Sequence, residues 1–229
     1  SNPKYSSLDG LLFNKEQTTL ILCPCGKNGT CTIPDGVTNI GFGAFAECTA
    51  LVRVTLPDSV ITIGDFAFCE CTRLTSVTIP DGVTNIGDFT FSGCTSLTKI
   101  TVDAANPNFS SLDGVLFDKA RTTLIQCPGG RNGTYTIPDG VTAIGYEAFR
   151  DCTALTSVMI PGSVTAIDDG TFARCTALTN IFFAGNAPTL GDWVFSDTPA
   201  TLCYRPGTTG WGATYGGRPT KPWDSTDTP

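Results

Sequence analysis

Histidine is absent from all 229 residues. Its absence removes the Ser-His-Asp and Cys-His nucleophilic arrangements and the commonest zinc ligand in one step. Charge is also scarce: Asp, Glu, Lys and Arg make up 15% of the chain, where about a quarter is usual. Polarity is carried instead by Thr, Ser, Asn and Gly, which suits short strands joined by turns. What charge there is leans one way, to a formal net of -7. Such a surface repels phosphate, which argues against nucleic acids and anionic membranes as partners. No run of 18 apolar residues occurs, so nothing reads as a membrane-spanning helix. The opening SNPKYSSLDG has neither a basic segment nor an apolar core and does not read as a signal peptide. It reads as a cut or processed end, because residue 2 falls inside a motif that is complete elsewhere.

What the chain does have is repetition. Residues 80–102, PDGVTNIGDFTFSGCTSLTKITV, recur at 57–79, 34–56, 138–160 and 161–183, with a degenerate copy from 184. The period of 23 residues, with Leu-x-x-Val-x-Ile inside it, marks a leucine-rich solenoid, in which each unit buries its apolar edge against its neighbours. Residues 2–33 differ in kind and return at 106–137 with 22 of 32 positions identical. Each of these inserts holds two short apolar runs around a polar loop and is expected to form a β-hairpin. In the regular coil, period two sends Leu97, Ile100 and Val102 inward and Lys99 and Thr101 outward. Pro80 ends that strand, Asp81-Gly82 turns, and Val83 and Ile86 form a second short strand. Thr90 and Phe91 then enter a helical or 3₁₀ turn closed by Cys94. The expected fold is a right-handed solenoid with a parallel β-sheet on its concave face, short second strands, 3₁₀ or helical turns and two hairpin-like inserts. One solenoid domain is expected over 1–204, with regular coils at 34–102 and 138–204. Residues 205–229 are read as a cap followed by a disordered tail from Asp224.

Stacked coils turn repeated positions into ladders. One is Phe45, Phe68, Phe91, Phe149, Phe172 and Phe195; another is Cys48, Cys71, Cys94, Cys152 and Cys175. The ladder cysteines are read as buried small thiols, although coil spacing alone does not forbid bridges. Cys25 and Cys31 of the first insert are replaced together by Gly129 and Tyr135 in the second, which predicts a Cys25–Cys31 disulfide. Acidic residues recur at turns rather than converging, so no catalytic pair is expected and the chain is read as non-enzymatic. The rows Asp35, Asp58, Asp81, Asp139 and Asp65, Asp88, Asp168, Asp169, Asp192 could hold calcium only if coils bring carboxylates together. No calcium-loop pattern is present, so a solvated acidic face is favoured and no cofactor or metal is implied. Sequons place candidate glycosylation at Asn28, Asn108 and Asn132.

The face expected to bind is the outward side of the main sheet. Coil by coil it carries Arg53 and Thr55, Ser76 and Thr78, Lys99 and Thr101, Ser157 and Met159, then Asn180 and Phe182. Met159 and Phe182 would make an apolar patch there, unless the C-terminal segment covers them.

The pattern Leu-x-x-Val-x-Ile-Pro-x-x-Val-x-x-Ile-Gly-x-x-x-Phe-x-x-Cys resembles the BspA-like, or Treponema pallidum type, leucine-rich repeat. The insert NP-x-(Tyr/Phe)-SS-x-DG-x-LF-(Asn/Asp)-K is similar to that family's interrupting segment, and PGTTGWGATYGGRPTKPW to its closing segment. The resemblance implies an extracellular or cell-surface module that binds a protein or glycan, as the adhesins of that family do. The alternative is a structural subunit that assembles head-to-tail through its solenoid ends into a filament or surface layer.

Overall fold

The computed structural model describes residues 2–223; the tail expected from Asp224 lies outside the described residues. Two compact units divide between Lys119 and Ala120, inside the second insert.

The first unit contains β1 (Tyr5–Leu8), β2 (Leu11–Asn14), β3 (Thr19–Leu22), β4 (Gly29–Thr32), β5 (Asn39–Ile40) and β6 (Leu51–Thr55). It continues with β7 (Thr62–Ile63), β8 (Ser76–Ile79), β9 (Asn85–Ile86), β10 (Lys99–Val102), β11 (Phe109–Leu112) and β12 (Val115–Asp118). One sheet has the order β1-β2-β3-β5-β7-β9 and the other β4-β6-β8-β10. All neighbours from β3 onward in the first sheet, and throughout the second, are parallel. This is a β-solenoid: every coil gives one strand to each sheet. The first insert is a three-stranded antiparallel meander rather than a single hairpin, since β1 also pairs with β2.

The second unit contains β13 (Thr123–Gln126), β14 (Gly133–Thr136), β15 (Ala143–Ile144), β16 (Leu155–Ile160) and β17 (Ala166–Ile167). It ends with β18 (Asn180–Phe183), β19 (Thr189–Leu190), β20 (Thr201–Tyr204), β21 (Thr214–Tyr215) and β22 (Arg218–Pro222). Its parallel sheets run β13-β15-β17-β19 and β14-β16-β18-β20-β22, with β21 added antiparallel to β22.

The core follows the periodicity. Leu97 and Ile100 are fully buried and Val102 nearly so, while Lys99 is exposed. The phenylalanine spine stacks within each unit: Phe45 on Phe68 at 5.0 Å and Phe68 on Phe91 at 5.6 Å, then Phe149 on Phe172 at 4.9 Å and Phe172 on Phe195 at 5.9 Å. These parallel, offset rings add to the apolar area that they bury.

The corner around each spine phenylalanine is where the structure departs from expectation. No helix of either kind forms there among the described residues. The residues two before and two after the phenylalanine have positive φ in every coil: Phe66 and Glu70 around Phe68, Glu147 and Asp151 around Phe149, Trp193 and Asp197 around Phe195. A left-handed residue every fourth position breaks any helical run. It also turns alternate amides sideways. Phe66, Phe68 and Glu70 donate to Asp88, Thr90 and Ser92 of the next coil, while Ala67, Cys69 and Cys71 donate locally to Gly64, Phe66 and Phe68. The corner is therefore a third hydrogen-bonded ladder, which satisfies backbone groups that a helical turn would leave bare.

Candidate binding site

Within the first unit, six of the expected face residues share one sheet. Arg53 on β6 pairs in register with Ser76 on β8, Lys99 on β10 also faces Ser76, and Thr101 faces Thr78. Thr55 lies beside Thr32 of β4. Arg53, Thr55, Thr78 and Lys99 are exposed, and Ser76 and Thr101 are half-buried. Arg53, Thr55, Ser76 and Thr78 line a shallow depression of about 290 Å³, with Val54 and Leu56 completing its rim. Hydroxyls spaced by the strand interval, between two exposed cations, suit hydrogen bonding to an extended polar partner.

In the second unit, Ser157, Met159, Asn180 and Phe182 also lie in register on adjacent strands, β16 and β18. The apolar patch expected there is not open. Phe182 is only 4% exposed, because the indole of Trp223 stands edge-on to its ring at 5.6 Å. Trp223 arrives there because β22 adds parallel to β20, and its amide is fixed to the Tyr204 carbonyl at 2.8 Å. Ser157 is buried as well, with no hydrogen-bond partner for its Oγ among the described residues. The same segment places Trp211 flat against Tyr204 at 5.5 Å and tilted against Phe183 at 4.8 Å, with Tyr215 edge-on to it.

The BspA type leucine rich repeat region, in six copies, matches residues 22–130 and 131–206. The chain belongs to the BspA-type leucine-rich repeat family. A crystal structure of a leucine rich cell surface protein from Faecalibacterium prausnitzii is 34% identical to it, with a TM-score of 0.64 over 77% of this chain and 53% of that one. The Treponema pallidum leucine rich repeat protein is 30% identical, with a TM-score of 0.52 over 86% of both chains. The pneumococcal vaccine antigen PcpA shares the fold, at 23% identity and a TM-score of 0.63 over 77% of this chain and 50% of its own. The chain thus spans about half the length of the F. prausnitzii and pneumococcal structures. No curated protein matches it.

The BspA-type cysteine ladder has a role that periodicity did not disclose. The Cys71 thiol donates to the Phe45 carbonyl, Cys94 to Phe68 and Cys175 to Phe149, each at 3.0 Å. Where the ladder cysteine becomes Thr198, the hydroxyl donates to the equivalent Phe172 carbonyl. In these four coils the position holds a small buried donor to the spine phenylalanine carbonyl of the preceding coil, whereas Cys48 and Cys152, which follow the inserts, reach the Cys23 and Pro128 carbonyls at 3.6 and 3.7 Å instead. Burial pushes the Cys71 thiol up to about 12 and Cys94 well above its ordinary value.

The bridge expected between Cys25 and Cys31 is not made. Alternation along β4 sends Cys31 into the core, where its thiol meets Cys23. Cys25 is exposed, with its Sγ on the Ala46 carbonyl at 3.6 Å. In the acidic rows, carboxylates serve the backbone: Asp65 accepts from the Asp88 amide at 3.0 Å and Asp169 from the Asp192 amide at 2.7 Å. Asp35, Asp58, Asp81 and Asp139 are exposed turn residues, and the sequon residues Asn28, Asn108 and Asn132 are exposed too.

Proposed function

We propose that this chain is a non-enzymatic binding module of a cell surface or the extracellular space. It takes a protein or glycan partner on the outward face of β6, β8 and β10. The observation that carries this reading is the set Arg53, Thr55, Ser76, Thr78, Lys99 and Thr101 on one sheet, of which Arg53, Thr55, Ser76 and Thr78 line the depression of about 290 Å³. Two exposed cations on one face of a chain with net charge -7 concentrate positive potential where hydroxyls supply the hydrogen bonds. Similarity to a bacterial cell surface protein supports the location. If the chain meets a glycosylating host, Asn28, Asn108 and Asn132 are accessible acceptors. Binding would be built from many shallow contacts along a rigid sheet and needs no deep pocket.

The test is a double charge reversal, Arg53→Glu with Lys99→Glu, read by retention on a panel of immobilised matrix proteins and glycans. Affinity for the retained partner falls at least about tenfold and its salt dependence weakens, with an unchanged melting temperature. Unaltered binding by the variant would place the partner elsewhere.

A structural role has one observation in its favour. β1 is the end strand of its sheet, and Tyr5 and Leu8 on it are among the exposed large apolar residues. Such an edge suits addition of a strand from another copy, as in a filament or surface layer. Leu8→Lys would then block growth.

A further inference from the structure

Trp193 stands 77% exposed, ahead even of Phe42 at 73%, and its backbone has φ of 52°. The same corner position is Gly43 and Gly170 in other coils. The fold thus accepts glycine there, the residue that suits positive φ, whereas tryptophan adds backbone strain. Ring stacking explains Phe66 and Phe89 at this position, whose centroids are 4.7 Å apart. It does not explain Trp193, because the two preceding coils of its unit have Glu147 and Gly170 there and no other ring packs on it among the described residues. The indole is presented to solvent at a structural disadvantage.

It also borders a cleft. Asp192, Trp193, Asp197, Gly216, Gly217 and Arg218 are among the residues around an open cavity of about 420 Å³, within the range of roughly 300 to 1,000 Å³ in which small-molecule sites fall. Gly216 packs its backbone closely on the coil beneath: a Cβ there would sit 2.7 Å from Leu190 Cδ1 and 2.9 Å from the Phe195 ring. Arg218 is anchored by its Nε on the Ala200 carbonyl at 3.2 Å. The lining therefore offers one apolar flat face, two carboxylates that accept hydrogen bonds and one guanidinium that donates them.

We propose that this cleft is a second binding site, which takes a terminal neutral pyranose of a glycan. A pyranose has an apolar C–H face to lie on the indole and a rim of hydroxyls that both donate and accept. Anionic sugars are disfavoured by Asp192 and Asp197, and cationic ligands by Arg218, while the other ring of the lining, Phe195, is only 5% exposed and completes no aromatic cage. This inference is independent of the reading of the first unit's sheet, and the two fail separately.

The test uses the full chain labelled with ¹⁵N, with the indole signal of Trp193 identified by its loss in Trp193→Gly. The probes are the methyl pyranosides of β-galactose, β-glucose, β-N-acetylglucosamine and α-mannose, with sialyllactose and choline as charged comparators. At least one neutral pyranoside shifts the Trp193 indole and the Gly217 amide saturably, with Kd on the order of 1 mM for so small a contact. Trp193→Gly abolishes the shift at Gly217 and keeps or raises the melting temperature, since glycine suits the backbone there. Asp192→Asn weakens binding several-fold. No saturable shift with any neutral probe, equal binding by Trp193→Gly, or preference for either charged comparator would overturn the proposal.

Discussion

At the scale of single residues, the same side-chain types serve packing and hydrogen bonding at once. Phe91 is 3% exposed and stacks on Phe68; Phe91→Ala should lower stability by roughly 3 to 5 kcal/mol, the usual cost of truncating a buried aromatic. Chemical denaturation measures it, and an unchanged midpoint would refute the spine. The Cys94 thiol, which donates to the Phe68 carbonyl, gives a sharper pair of variants. Cys94→Ala leaves that carbonyl without its donor and should cost about 1 to 3 kcal/mol, whereas Cys94→Ser restores a donor and should cost less. Equal losses would mean that the thiol only fills space. Alkylation distinguishes the thiols as well: Cys25, which is exposed, should react with iodoacetamide near neutral pH well before Cys71 or Cys94, whose burial suppresses the thiolate. Peptide mapping over time reads the order. The period makes the inward positions legible from residue types alone, because burial recurs with the repeat. The thiol's acceptor is not legible in that way, because a carbonyl 26 residues earlier leaves no mark on the residue types.

At the scale of elements, the second insert is tied down by one asparagine. Asn106 is fully buried; its Nδ2 donates to the Pro80 and Val83 carbonyls at 2.8 and 3.0 Å, and its Oδ1 accepts from the Asn108 and Phe109 amides at 2.8 Å each. The matched Asn2 likewise accepts from the Lys4 and Tyr5 amides. Both inserts thus share the acceptor half of this bond set, while the donor bonds to Pro80 and Val83 belong to Asn106. Asn106→Leu strands two carbonyls and two amides, at about 1 to 3 kcal/mol for each that stays buried. The β11–β12 hairpin, held to β10 by the Gly114 carbonyl and the Ser111 hydroxyl, should lose amide protection before the rest of its unit. Hydrogen exchange that stays uniform across the unit would argue against this anchoring role. The corner geometry was hidden for a related reason. Left-handed residues usually show themselves as glycine, yet here Phe66, Glu70, Glu147, Asp151 and Trp193 occupy such positions. Local residue type therefore pointed to a helical turn, while the neighbouring coil imposed a ladder.

At the scale of the whole molecule, the repeat makes the solenoid legible and leaves the proposed binding face half-legible. Arg53, Ser76 and Lys99 were placed by alternation alone and do lie on one sheet. Alternation assigns Phe182 to the outward face, yet it is only 4% exposed, because Trp223, 41 residues later, returns to cover it, which alternation cannot show. Trp193 gave no periodic signal, because its position holds a different residue type in most coils. The proposed role as a binding module, with faces that remain available to partners, requires that the chain does not consume its own edges in self-assembly. Light scattering over a wide concentration range tests that requirement most directly. A constant mass near 24.1 kDa is the result this account predicts. Mass that grows without limit as concentration rises, and that Leu8→Lys arrests, would contradict it and make the edge at β1 the functional surface.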